Sequence, residues 1–149
     1  MTEPSARVAT RYDLRDLKVL YERLDEEMTR LRPGWPGGVE PPIEAALSDR
    51  LDTCTVIVGT IDDVPVGFLT ATVVDSMRSG PTVTVEFLFT EPEARGVGVG
   101  EAMLERLRAE LPGVHRFDVA VLPGHRDAKN FLEGQGFKAR TIIMHHEDS

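Results

Sequence analysis

Apolar residues recur at steps of three and four through Leu14, Leu17, Tyr21, Leu24, Met28 and Leu31, the stripe of an amphipathic helix. Asp13 stands just ahead of it, where an N-cap carboxylate would accept a free backbone N–H, and Pro33-Gly34 stops it. Residues 33–42 hold four prolines and three glycines and predict no regular structure. Ile43, Ala46, Leu47 and Leu51 share a face, which predicts a short helix over Ile43–Leu51. Cys54–Thr60, Val66–Val74 and Thr82–Thr90 are rich in β-branched residues and read as strands. The turn Asp62-Asp63-Val64-Pro65 makes the first two an antiparallel hairpin, and Ser79-Gly80-Pro81 separates the third. A helix follows from Val97 to Leu111, with Met103, Leu104, Leu107 and Leu111 inward, and Pro112-Gly113 ends it. Phe117–Leu122 reads as a strand, Asp127–Glu133 as a short helix and Lys138–His146 as a final strand; Arg7–Arg11 is a short first one. The order β-α-α-β-β-β-α-β-α-β predicts one α/β domain over residues 1–149, built on a mixed sheet, without repeat or linker.

Composition narrows the function classes. A chain of 149 residues, 41% hydrophobic and 28% charged, suits one globular core. A net charge of −8 argues against a nucleic-acid partner, which wants a basic surface; it favours a cationic acceptor mildly, and solubility accounts for it equally well. No apolar run approaches the roughly 20 residues of a membrane span. Met1–Thr10 is polar and lacks a secretory apolar region. The single Cys54 leaves no internal disulfide and no cysteine metal cluster. His145 and His146 fall on opposite faces of a strand and make a poor metal pair. These features point to the cytoplasm and to no metal.

The chemistry is concentrated after the third apolar strand. There Arg95-Gly96-Val97-Gly98-Val99-Gly100 leads into a helix. Glycines on alternate residues remove Cβ atoms where a ligand must approach the backbone. The free N–H groups and dipole of the helix start favour an anion, and Arg95 adds a guanidinium fork suited to phosphate oxygens. A Walker loop is excluded, because Gly100 is followed by Glu101-Ala102. A dinucleotide fingerprint is excluded by Glu101 and Met103 at the third-glycine positions. A flexible glycine turn with a solvated arginine is the plain alternative.

Arg95-Gly96-Val97-Gly98-Val99-Gly100 resembles the R/Q-x-x-G-x-G/A motif of the GCN5-related N-acetyltransferase (GNAT) family. Ala128, Phe131, Glu133 and Gly136-Phe137 match that family's closing A-x-x-F-Y-E-x-x-G-F pattern. The resemblance implies a GNAT fold: a mixed, mostly antiparallel sheet with a splayed centre and flanking helices. It implies acetyl-CoA as co-substrate, with the backbone of Leu88, Phe89 and Thr90 on the pantetheine. The N–H groups from Arg95 through Gly96, Val97, Gly98, Val99 and Gly100 would take the pyrophosphate, with Glu101 contributing only its backbone. His125 stands where the family often has an asparagine that bonds the CoA arm; an exposed loop histidine is the alternative. Arg126 is either a phosphate contact or solvated.

Transfer to an amine needs a base and a proton for the leaving thiolate. Glu86 is the base candidate. Alternation puts Val83, Val85, Phe87 and Phe89 on one face and Glu86 with Thr84 and Leu88 on the other, and a carboxylate in such a strand is locally disfavoured. The plain alternative is a carboxylate on a partly exposed sheet face. The family's frequent tyrosine acid falls at Leu132, which has no proton to give; water, Tyr12 or Tyr21 are the substitutes, with Tyr21 on the helix stripe. Cys54 reads as core. Acceptor specificity should come from the first helices, the Trp35 loop and the 75–81 turn, with Trp35 either walling the pocket or capping the core. The acceptor is a small-molecule amine or a protein amino group, and a homodimer stays open. A non-catalytic acyl-CoA sensor of the same fold is the rival to the enzyme.

Overall fold

In the computed structural model, which describes residues 3–33, 35 and 42–149, the stripe from Leu14 forms α1 (Leu14–Leu31). It is followed by α2 (Ile43–Thr53), β2 (Thr55–Ile61), β3 (Val64–Ser76), β4 (Gly80–Thr90), α3 (Val99–Glu110), β5 (Arg116–Val119) and α4 (Arg126–Gly134). Ahead of α1 lies β1 (Pro4–Val8), three residues earlier than the alternation suggested, with Arg11–Asp13 in a 3-10 turn. Residues 34 and 36–41, most of the Pro/Gly-rich stretch, lie outside the described residues. Among the described residues, five strands form one sheet in chain order, antiparallel except for β4 and β5.

The sheet is covered on both sides, which is why its strands are apolar on both faces. One side packs Val56, Val58 and Phe68 against α1 and α2 through Leu17, Leu20, Tyr21, Leu24 and Leu47. The other packs Ile57, Leu69, Val83 and Val85 against Val99, Met103, Leu104 and Leu107 of α3. The β2–β3 hairpin turns tightly through Asp62 and Asp63, with Ile61 paired directly to Val64. Both aspartates have positive φ (49° and 68°), as a two-residue hairpin turn demands. Pro65 therefore belongs to the strand rather than to the turn.

Two local expectations are corrected. Asp13 occupies the N-cap position of α1 but makes no capping bond to it: it sits in helical geometry and its carboxylate reaches backward. Oδ2 accepts the Thr10 backbone N–H at 2.8 Å, while the Arg7 guanidinium donates to both oxygens at 2.7 and 2.8 Å. The Arg7 bonds hold the Asp13 carboxyl below its ordinary 3.8, against the opposing effect of burial. A depressed carboxylate stabilises the fold above its unfolded pKa, and the contribution is lost as pH falls through the folded value. Asp13→Asn should cost about 2 kcal/mol at pH 7. In urea melts at descending pH, the gap from wild type should close only below 3.8.

The second correction is the final strand. Lys138–His146 forms no strand, and Ile142, Ile143 and Met144 are 81%, 85% and 88% exposed. Thr141-Ile142-Ile143 has the propensity for a strand, but propensity needs a neighbour to pair with.

Candidate active site

The register of β3 against β4 slips at one point: Thr70 faces Phe87, whereas Ala71 faces Val85. Glu86 is the extra residue, so β4 carries a β-bulge there. Val83 and Val85 face α3, while Phe87 and Phe89 face α1 and α2. The four do not share one face, as simple alternation predicted, because the bulge inverts the phase of the strand. It also turns Glu86 and Phe87 to the same side.

Glu86 is held by groups the sequence did not single out. Its Oε1 accepts from Arg50 Nε at 2.8 Å and from Thr70 Oγ1 at 3.2 Å, and Oε2 accepts from Arg50 Nη2 at 2.8 Å. Arg50, from α2, also lies 5.6 Å over the Phe87 ring, and its pKa is raised by the bonds to Glu86. A carboxylate offers about four lone-pair directions. Three are taken, and the remaining one is on Oε2. The Glu86 side chain is 39% exposed, so that direction is open to a visitor. The overlooked signal was Arg50 itself, a charge set within the apolar stripe of α2 between Leu47 and Leu51.

Beside the bulge, the sheet opens. β5 pairs with β4 only over Thr82–Val85, matched to Arg116–Val119. From Glu86 to Thr90 the side of β4 turned toward β5 has no strand partner among the described residues. Backbone polar groups on such an edge need another acceptor or donor. Leu88 packs toward α3 and Phe89 toward α1, so the stretch expected to meet a pantetheine is an anchored edge.

The glycine loop follows. Gly96 and Gly98 have φ of 85° and 98°, which only glycine adopts without strain, and α3 starts at Val99 rather than Val97. Ala102 N–H bonds the Gly98 carbonyl at 3.0 Å. The N–H groups of Val99, Gly100 and Glu101 therefore fall in the first turn, where a helix has no internal acceptor to offer. Val97 and the Glu101 side chain are exposed. Gly100 serves a different purpose: a Cβ there would lie 2.7 Å from Phe131 Cζ, so its absence lets α4 seat against α3.

Arg95 does not point its guanidinium at the loop. Nε donates to the Thr90 carbonyl at 2.8 Å, and Nη2 donates to both oxygens of Glu27 at 2.8 and 3.0 Å. Nη1 reaches Asp127 at 3.5 Å, and the group lies 5.7 Å from the Phe89 ring centre. Its fork fits a carboxylate as well as a phosphate, and Glu27 of α1 has taken it. Arg95 thus ties the end of β4 to α1 and α4. His125 joins this cluster, with Nε2 3.6 Å from Glu27. Burial lowers the His125 pKa, so the ring is neutral at pH 7, against the opposing pull of Glu27. It is an interior histidine rather than an exposed one.

This arrangement separates two roles for Arg95. As a tie in the CoA site that the resemblance implies, Arg95→Lys and Glu27→Gln remove the same bridge, and each should weaken CoA binding on the order of tenfold, read by calorimetry. If Arg95 instead met phosphate directly, Glu27→Gln would free it and tighten binding.

The other candidates fall away from the bulge or into the core. Leu132 is 5% exposed. Tyr12 is 97% exposed, whereas Tyr21 is buried with its ring edge-on to Phe87, the centroids 5.3 Å apart. Cys54 packs beside the α1–α2 core and Arg126 is exposed. Trp35 packs on that same core and donates Nε1–H to Asp25 at 3.1 Å. His145 and His146 are exposed, and His146 lies 2.8 Å from Asp148. Among the described residues, no group of three or more His, Cys, Asp or Glu could hold a metal ion, and no helix is long and apolar enough to cross a membrane.

The profile of the Acetyltransferase (GNAT) family matches residues 17–137. No curated protein sequence matches the chain. Among solved structures, it resembles aminoglycoside N-acetyltransferase AAC(6')-Iy in complex with CoA at 18% identity and a TM-score of 0.73, over 99% of this chain and 96% of that one. A transcriptional regulator from Bacillus halodurans C-125 is 25% identical, with a TM-score of 0.74 over 97% and 100% of the two chains. An aminoglycoside acetyltransferase from an uncultured soil metagenomic sample is 18% identical, with a TM-score of 0.71 over 98% and 95%.

Proposed function

The chain belongs to the Acetyltransferase (GNAT) family, and from that premise we propose that it moves an acetyl group from acetyl-CoA to a primary amine by direct attack in a ternary complex, as one domain over residues 1–149 in the cytoplasm. The observation that carries this reading is the bulge, which presents Glu86 beside an open strand edge that runs straight into a glycine-bent helix start. The fit to CoA rests on that edge and that start. The backbone of Leu88, Phe89 and Thr90 would pair with the pantetheine amides, and the N–H groups from Gly96 to Glu101 would take the pyrophosphate. Arg95 and His125 support from behind, through Glu27.

Acetyl-CoA supplies an acyl group activated as a thioester. The amine nitrogen forms the new bond to the acyl carbon, the carbon–sulfur bond breaks, and the sulfur leaves as thiolate. The proton shed by the amine passes to the open Oε2 direction of Glu86, directly or through a water. Solvent protonates the thiolate, which needs less help in leaving than an alkoxide would because thiols are the stronger acids. The acceptor approaches from the α1–α2 side, where Glu86 and Arg50 stand. The amine belongs to a small molecule or to a protein; aminoglycosides, the substrates named for two of the solved relatives, are the first to try.

A second reading has its own observation. Leu132 stands where the family often has a tyrosine acid and is buried, which suits an acyl-CoA-binding domain that does not turn over. Thiol release from acetyl-CoA, followed with an amine panel that includes aminoglycosides, separates the two. Turnover on one amine supports the enzyme. CoA binding by calorimetry with no turnover on any amine supports the sensor, and no CoA binding overturns both.

A further inference from the structure

Glu86 does not meet a visitor as a bare carboxylate. Arg50 donates to both of its oxygens at 2.8 Å, and Thr70 Oγ1 donates to one of them at 3.2 Å. The bidentate contact fixes the guanidinium as well as the carboxylate. Arg50 also lies 5.6 Å over the Phe87 ring, against which Tyr21 packs edge-on. The two charges therefore sum to zero beside the open direction on Oε2. Both side chains are partly buried, so water screens them only in part. Among the described residues, the other titratable side chains that face the guanidinium are Cys54 and Tyr21. These are a thiol and a phenol, and neither adds a second carboxylate.

That pairing decides which form of an amine the site holds. An alkylamine of lysine type has a pKa of about 10.4 and is almost wholly ammonium at pH 7. A lone carboxylate in a partly dry cleft attracts the ammonium. The proton then stays on nitrogen, which has no electron pair left to attack a thioester. Beside the ion pair, the guanidinium offsets that attraction. What remains is one hydrogen bond to Oε2 and burial of the carbon skeleton. A neutral amine supplies both, and it costs less to strip of water than a cation does.

Given Glu86 as the base of the acetyl transfer argued above, we propose that Arg50 is a specificity-determining residue. By neutralising Glu86 it makes the acceptor site select the uncharged amine, and with it weakly basic amines of the α-amino type. At pH 7 about one in ten α-amino groups is neutral, against about one in 2,500 amines of lysine type. An α-amine thus fills the site at a far lower total concentration. The bound amine attacks with its own electron pair, and the proton it sheds as the new bond forms passes to Oε2.

The full chain, with and without CoA, is titrated at pH 7 with butylamine and with 1-butanol, a cation and a neutral donor of equal length. The backbone amide signals of Thr70 and Glu86, followed by NMR, give the two Kd values. In wild type these should lie within about threefold. Arg50→Met keeps a stem over Phe87 and removes the charge, so the ammonium should then bind on the order of tenfold tighter than the alcohol. Arg50→Lys keeps the charge without the fork and should stay near the wild-type ratio, which separates charge from mere support. Where an alkylamine is turned over, Arg50→Met should lower its KM, whereas a merely loosened site would raise it. A wild type that prefers butylamine by about tenfold overturns the proposal. So does an Arg50→Met ratio equal to wild type, a raised KM in that variant, or silence of Thr70 and Glu86 toward both probes at about 100 mM. Ratios that hold while no amine is acetylated overturn the acetyl-transfer reading and leave a site for neutral amines. Acetylation with the ratios reversed overturns the role of Arg50 alone.

Discussion

Glu86→Gln should lower kcat for acetyl transfer by about 10²–10⁴-fold, the range removed with a positioned general base. It should leave the Kd for CoA within about twofold. The amide keeps the shape of the side chain and an oxygen for Thr70 Oγ1 or Arg50, but it cannot take the amine's proton. Raising the pH should recover part of the loss, because more of the acceptor then arrives already neutral. A fall in kcat confined to a factor of two or three would remove Glu86 from the chemistry and leave it a partner for Arg50 alone. The Arg50 bonds make the substitution informative for stability too. The glutamine offers the half-buried guanidinium one neutral oxygen where the carboxylate offered two charged ones, so a loss of about 1–2 kcal/mol in urea melts should accompany the kinetic effect.

Gly67→Ala should be the most damaging small substitution in the sheet. Its Cβ would lie 2.6 Å from the Phe89 carbonyl oxygen. That oxygen belongs to the backbone, so no rotamer change relieves the overlap, and the β4 segment proposed for pantetheine must move instead. A cost of about 2–3 kcal/mol is expected, or a fall of roughly 5–10 °C in Tm for a chain of this size, together with weaker CoA binding. Gly59, its cross-strand partner, supplies the control. A Cβ there would meet Val99 Cγ1 at 2.6 Å and Met103 Sδ at 2.9 Å. Those are side-chain rather than backbone atoms, but Val99 is stiff and buried, so Gly59→Ala should also cost stability while leaving β4 in place and CoA affinity nearer to wild type. Equal losses of CoA affinity at the two positions would mean that the overlap at Gly67 relaxes without moving β4.

The glycine pair went unread in the sequence because Gly59 and Gly67 look like weak points in two strands rather than the seat of a helix. What the sequence does reveal follows from periodicity and propensity. The stripe from Leu14 to Leu31 is legible by its helical period, and the runs that became β2, β3 and β4 by their β-branched residues. The bulge is invisible. Val83, Val85, Phe87 and Phe89 alternate without a break, and in a sheet covered on both sides either face accepts an apolar residue. Only the pairing with β3 shows that two of them point one way and two the other. Lys138–His146 misled in the opposite sense, since strand propensity says nothing of where a partner edge lies. At the candidate site, the backbone features were legible: Gly96 and Gly98 announce positive φ before a helix. The side-chain partnerships were not. Arg95 has a fork that suits carboxylate and phosphate alike, and the choice of Glu27 depends on how α1 crosses the loop. Asp13 shows the same ambiguity on a smaller scale, a carboxylate ahead of a helix that turned back to Arg7.

The bulge has a consequence for how this chain changes over generations. Glu86 fills two offices that differ in what they demand. As the surplus residue of β4, it keeps Phe87 and Phe89 turned toward α1, and any amino acid of modest size can do that. As a carboxylate beside Arg50, it admits almost no replacement. Deleting the residue would swing the rest of β4 across the sheet and ruin the fold, so lineages can discard the acid but not the position. With Glu86 as the base proposed above, a single nucleotide change is then enough to leave a folded protein that still binds CoA but transfers far more slowly, and the reverse change restores it. Loss and recovery of activity are thereby uncoupled from loss of the protein itself.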